Sequence, residues 1–171
     1  GVRTMAGIGH RTIAYGQTGI VCTVEYERDH RGIAHERFLP GGPFAILPVP
    51  GNRSSLVWTE KDAIAQRVLQ LEPAAFLEEI AWRFGDFLGD LKVTGPVWSY
   101  PLTLVLAHHA TAPRLVLVGD AAHRIHPIAG QGYNLGIRDV AVLAEVLGDS
   151  RRLGLDPGDA VALADYARRR R

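Results

Sequence analysis

The run from Leu115 to Asp139, LVLVGDAAHRIHPIAGQGYNLGIRD, constrains the fold of this chain more than any other stretch. Leu115 to Val118 are apolar and partly β-branched, which suits a short buried strand. Gly119-Asp120 ends that strand and leaves a carboxylate at its C-terminal edge. A loop of small residues follows, interrupted by Pro127. From about Gly132 the apolar spacing becomes helical and continues through Leu147, with Gly148 as the expected stop. Strand, acidic turn, glycine loop and helix together make an α/β edge, where ligands sit beyond the carboxyl ends of strands.

The residue types define what such an edge can hold. An ionised Asp120 offers only acceptors and suits the hydroxyls of a polyol. Gly130 and Gly132 let backbone approach a flat ligand without Cβ interference. A helix opening near Gly132 points unpaired N–H groups and partial positive charge at whatever lies before it. On residue chemistry alone, an ordinary strand-to-helix turn with a capping Asp fits equally well, because glycine-rich turns are weak motifs.

The segment GDAAHRIHPIAGQGYNLGIRD, Gly119 through Asp139, resembles the second flavin-binding motif of the class A flavoprotein monooxygenases, which are para-hydroxybenzoate hydroxylase-like. It is most similar to the ubiquinone-biosynthesis hydroxylases, the 2-polyprenyl-6-methoxyphenol hydroxylase group, and meets their pattern without a gap. The resemblance implies an FAD site in which Gly119 and Asp120 face the ribityl hydroxyls. The backbone of Gly130, Gln131, Gly132, Tyr133 and Asn134 would face the flavin pyrimidine ring. Pro127, with His126 before it, would lie near the reactive edge. It further implies an α/β (α+β) fold, in which an antiparallel or mixed substrate-domain sheet joins the second half of a Rossmann-like FAD-binding domain.

Several classes fall away on bulk properties. A net charge of +1 makes no general case for nucleic acid, and 47% hydrophobic residues exceed what disorder allows. No apolar run approaches the roughly 18 to 20 residues of a membrane span. The single Cys22 alternates with Ile20 and Val24 against polar Thr23 and Glu25, so it reads as a core residue.

The opening, GVRTMAGIGH, has Gly7 and Gly9 but no strand before them, which argues against a nucleotide fingerprint. Residues 12 to 26 read as a loop entering a strand of about eight residues. In the resembling family YGQT follows a central Asp-Gly motif that this sequence lacks, as it lacks the N-terminal βαβ unit. The chain is therefore expected to begin partway through a longer enzyme and to stop before its last helices. Ala34–Phe38, Phe44–Val49 and Ser54–Glu60 are short strands with tight connections, hence one antiparallel meander. FLPGGPFAILPVPGNRSSLVWTEK resembles the substrate-domain sheet of the same hydroxylases, with Phe44 and Trp58 as either pocket or core. Residues 62 to 85 are helical in two segments, the second starting at Pro73 and burying Phe76, Ile80 and Phe84. Gly85 to Gly95 is a linker. Val97–Ala107 is a long strand whose Pro101 implies a bulge or an edge. The expected division is a substrate-binding sheet region over 1–109 and the C-terminal part of an FAD domain over 110–171.

His108-His109 and His123-x-x-His126 resemble a metal cluster only superficially. The one cysteine lies far off, no H-E-x-x-H helix exists, and Pro127 disfavours a shared helical face, so no metal is expected. His123 and His126 should instead bond the loop backbone. The helix after Gly132 is apolar nearly all round and should be buried on several sides. Residues 150–158 read as loop, 159–166 as helix, and Arg168–Arg171 as a helix tail.

The resemblance implies, for the intact enzyme, reduction of FAD by NAD(P)H and hydroxylation of a polyprenyl phenol with O2. FAD carries that chemistry, and no side chain is required as a nucleophile. Partners would be the phenol and either a quinone-biosynthesis complex or a second copy. The expected location is cytoplasmic, or peripheral at the inner membrane. Two alternatives stand beside this reading: a reductase or halogenase on the same scaffold, and a non-catalytic assembly module of a quinone-synthesis complex. These 171 residues alone are expected neither to retain FAD nor to be active, since half of the cofactor site is missing.

Overall fold

A computed structural model describes residues 1–170, with Ala129 described for its backbone only. In chain order the elements are α1 (Val2–Met5), β1 (His10–Tyr26), β2 (His35–Leu39), β3 (Gly42–Val49), β4 (Arg53–Lys61), α2 (Asp62–Val68), α3 (Pro73–Phe84) and β5 (Leu91–Ala107). They continue with β6 (Thr111–Ala112), β7 (Leu115–Val116), β8 (His123–Arg124), α4 (Gln131–Arg152) and α5 (Ala160–Arg169). The mixed α/β class is as expected. The chain divides into two compact units, residues 14–102 and residues 1–13 with 103–171. That division does not fall at 109/110. β1 and β5 are each 17 residues long and run unbroken from one unit into the other, so each unit takes one end of both strands.

The unit over 14–102 is the expected meander. β2 pairs with β3 (His35 opposite Ile46), β3 with β4 (Phe44 opposite Trp58), and β4 with β1 (Trp58 opposite Ile20), all antiparallel. Because side chains alternate across a sheet, Ile20, Cys22 and Val24 share one face with Leu56, Trp58, Phe44 and Ile46. α3 covers that face with Phe76, Ile80 and Phe84, the three residues its four-residue spacing marks out. Trp58 and Phe44 are core, 1% and 0% exposed, and do not line a pocket there. Cys22 lies in the same core, and burial pushes its thiol up to about 11, leaving it a packing residue.

Three boundaries differ most from expectation. β1 starts at His10, because Thr12, Ile13 and Tyr15 are strand formers and Gly16, at φ +68°, accommodates a local kink without ending the strand. β5 starts at Leu91, shortening the linker to residues 85–90. Among the described residues β5 pairs beyond β1 only with β8, at Val105 and Leu106, so Pro101 stands on an open edge. α4 passes through Gly148 to Arg152, at a cost of about 1 kcal/mol for an interior glycine. The true stop is Gly154, left-handed at φ +69°. Its N–H donates to the Arg151 carbonyl and that of Leu155 to the Ser150 carbonyl, a Schellman closure.

In the second unit, Leu117 packs with Ile8 and Ala122 in a small core. β7 pairs with β6, and the chain stays extended through Val118 before a 3-10 turn over Gly119–Ala121. α5 braces that strand from behind. Tyr166, 1% exposed, donates its hydroxyl to the Leu117 carbonyl at 3.0 Å, and burial first, then the nearby Asp139 charge, pushes its phenol up to about 12. Tyr166→Phe leaves that buried carbonyl unpaired and should cost about 1–3 kcal/mol in urea unfolding; no change would mean the bond contributes nothing.

Candidate functional site

The turn after β7 presents the acidic residue as the sequence suggested. Gly119 adopts φ +54°, a conformation that favours glycine, and exposed Asp120 follows inside the 3-10 turn. A second 3-10 turn, Ile128–Gly130, leads into α4, whose N-cap Gly130 is left-handed (φ 62°, ψ 21°) and supplies no side-chain cap. The helix thus opens beside the Asp120 turn with no cap from a side chain at its N-cap position. A Cβ on Gly136 would stand 3.5 Å from the Gly119 Cα, so two glycines set the closeness of helix and turn.

Between them lies an open cavity of about 540 Å³, lined by Val118, Gly119, Asp120, Gly132, Tyr133, Gly136, Ile137 and Val140. Four expected site residues meet there: Gly119, Asp120, Gly132 and Tyr133. Gln131 and Asn134 bond each other on the first turn of α4 at 3.4 Å and do not line the cavity. Pro127 caps the preceding 3-10 turn, and the His126 Nδ1 accepts from the Ile128 N–H at 3.1 Å, which is the loop-backbone role expected of it. Desolvation holds the His126 imidazolium below its usual range.

The apolar surface of α4 is not buried on several sides within this chain. Tyr133, Ile137 and Val140 are 77%, 49% and 55% exposed, and they face the cavity. The first space outside Gly132 is open, with no atom within 4 Å of a built Cβ. A flat, partly apolar ligand carrying hydroxyls fits this set: Asp120 accepts, the glycines admit it, and Ile137 and Val140 pack against it. Among the described residues no three His, Cys, Asp or Glu side chains converge in a metal-binding group, and no helix is long and apolar enough to cross a membrane.

His123 departs from its expected role. Its Nε2 donates not to the loop backbone but to the Asp139 carboxylate at 2.8 Å. Asp139 also accepts from the Gly119 N–H at 2.8 Å and from Arg170 Nε at 2.6 Å. Burial pushes the Asp139 carboxyl up, but the Gly119 amide, Arg170 and His123 outweigh it and hold it below the usual carboxylate range. Sequence reasoning gave Asp139 no role beyond closing the motif. The available signal was a carboxylate set within the apolar stretch of α4, three residues after Gly136. Because its folded value is depressed, Asp139 stabilises the fold above its unfolded value of about 3.9 and loses that contribution as pH falls through the folded value. Asp139→Asn should therefore flatten acid unfolding below about pH 4. An unchanged acid limb would contradict this.

Several known proteins resemble this chain. The chain is 59% identical over 170 residues to "Ubiquinone hydroxylase UbiL" of Rhodospirillum rubrum, covering 99% of this chain and 40% of that protein. It is 40% identical over 169 residues to the "3-demethoxyubiquinol 3-hydroxylase" of Escherichia coli, covering 99% of this chain and 43% of the relative. The chain thus spans about two fifths of these relatives' length. Among solved structures, PqsL of Pseudomonas aeruginosa, a probable FAD-dependent monooxygenase, matches with TM-score 0.75 at 24% identity, over 99% of this chain and 48% of that one. That likeness concerns the fold. The profile of a family described as an FAD binding domain matches residues 5–170, nearly the whole chain, and to that family the chain belongs.

Proposed function

We propose that this chain is the part of an FAD-dependent aromatic hydroxylase of ubiquinone synthesis that holds the ribityl and pyrimidine portions of the cofactor. The observation that carries the reading is an exposed carboxylate, Asp120, at the rim of a glycine-lined cavity beside the glycine-capped start of α4. Asp120 and Gly119 would take the ribityl hydroxyls, and Gly130 to Asn134 the pyrimidine edge. Pro127 and His126 would border the reactive edge. When bound, FAD supplies the redox chemistry, accepting electrons from NAD(P)H and passing them to O2 so that one oxygen atom enters a phenolic ring. The residues of this chain bind, orient and exclude water; none is assigned a nucleophilic role.

The strands of the 14–102 unit would contribute the substrate side, and the unit that carries the Asp120 turn the cofactor side. The substrate class is a phenol with a polyprenyl tail, as the names of the relatives suggest. A cytoplasmic or peripheral inner-membrane location suits such a tail, and a quinone-synthesis complex or a second copy is the proposed partner. The test is NAD(P)H-dependent O2 uptake by the full-length protein with a polyprenyl phenol, followed by mass analysis. A product heavier by one oxygen atom is expected. Halide incorporation, or O2 uptake indifferent to the phenol, would overturn the hydroxylase reading.

A further inference from the structure

We infer that Asp139 is a positioning residue for the cofactor-facing turn, acting through the Gly119 amide without touching the ligand; this rests on the FAD reading above. Asp139 is 1% exposed on α4, yet it carries a full charge in a place where an apolar side chain would pack at less cost. An ionised carboxylate only accepts, so it must be surrounded by donors. It is: one oxygen takes the Gly119 N–H and His123 Nε2, the other Arg170 Nε. The donors come from the turn, from β8 and from the residue that follows α5. Nδ1 of His123 is buried with no partner among the described residues, which places the ring proton on Nε2, facing Asp139.

The consequence lies one residue on. Gly119 sits at φ +54°, and the direction of its peptide groups fixes where the Asp120 side chain leaves the turn. The same turn is gripped from the other side by Tyr166, which holds the Leu117 carbonyl. With Leu117 and Gly119 both fixed, Asp120 needs no ordering when a polyol arrives, so the ordering cost is met by the fold and not by the ligand. Loss of the Asp139 acceptor frees the Gly119 amide and lets the turn relax, and cofactor affinity falls although every ligand-touching side chain is intact.

The test is a double-mutant cycle in the full-length apoprotein, with FAD titrated by flavin fluorescence well below each variant's melting temperature. Asp139→Ala, which removes the acceptor, should weaken FAD about ten- to hundredfold. In an Asp120→Ala background the same change should do little, because Asp139 acts through Asp120. Additive effects, which a merely structural role predicts, would overturn the positioning role, as would wild-type affinity in Asp139→Ala. If Asp139→Ala does not yield folded protein, His123→Ala and His123→Gln carry the question. Weakened binding in the first and recovery in the second, which restores a donor, support the inference; no change in either overturns it. Wild-type affinity in Asp120→Ala would instead sink the FAD reading of this turn.

Discussion

Trp58→Ala should destabilise the 14–102 unit by about 3–5 kcal/mol, the range for truncating a fully buried aromatic. Trp58 is 1% exposed and joins the two layers of that unit. Its ring meets Phe44 on β3 at 6.1 Å and Phe76 on α3 at 6.4 Å, and the Arg83 guanidinium lies 4.2 Å from its centroid. Removing it empties the centre of the core and strips Arg83 of its nearer aromatic partner, leaving Trp82 at 5.0 Å. Arg83 is itself buried beside Glu60 at 3.8 Å, so its desolvation is then less well compensated. Trp58→Phe should cost far less, because the indole N–H has no partner among the described residues to lose. Urea unfolding followed by far-ultraviolet circular dichroism measures both. An Ala variant within about 1 kcal/mol of wild type would show that the sheet and α3 do not close over this residue.

Asp120→Ala, in the full-length protein, should weaken FAD about ten- to hundredfold while leaving the choice among phenols unchanged. The lost contact is a charge-assisted acceptor for ribityl hydroxyls, worth roughly 1.5–3 kcal/mol. Asp120 is exposed and lines the cavity, so the change creates no buried void, and its cost should appear in binding and not in folding. Flavin retained through gel filtration and the melting temperature, measured together, separate the two. Full retention would reduce Asp120 to a turn former.

Much of the fold is legible in residue spacing. Phe76, Ile80 and Phe84 recur every four positions, and a helix with one apolar stripe is their simplest solution. The short connections after Leu39 and Val49 permit only antiparallel neighbours, which is what β2, β3 and β4 form. The misreadings have local causes. Gly148 and Gly154 both look like helix stops, and only backbone closure by Gly154 and Leu155 decides between them. The unit boundary is hidden because β1 and β5 each serve both units, and composition does not change along a continuous strand.

The site divides in the same way. Asp120 and its glycines are legible because a carboxylate at a strand end and Cβ-free backbone have few other uses together. Asp139 is not, because a carboxylate in a helix ordinarily faces water, and only the fold brings Gly119, His123 and Arg170 to it from 20, 16 and 31 residues away. Burial on several sides is what the apolar run of α4 suggests, yet Ile137 and Val140 are half exposed in this chain, because periodicity marks an apolar face without saying what it packs against.

The most direct test of the cofactor assignment is a structure of the full-length protein loaded with FAD. A ribityl hydroxyl is expected within about 3 Å of an Asp120 carboxylate oxygen, with the flavin pyrimidine edge over the Gly130–Asn134 backbone. An FAD whose ribityl chain and pyrimidine ring both avoid the cavity between the Asp120 turn and the start of α4 would contradict it.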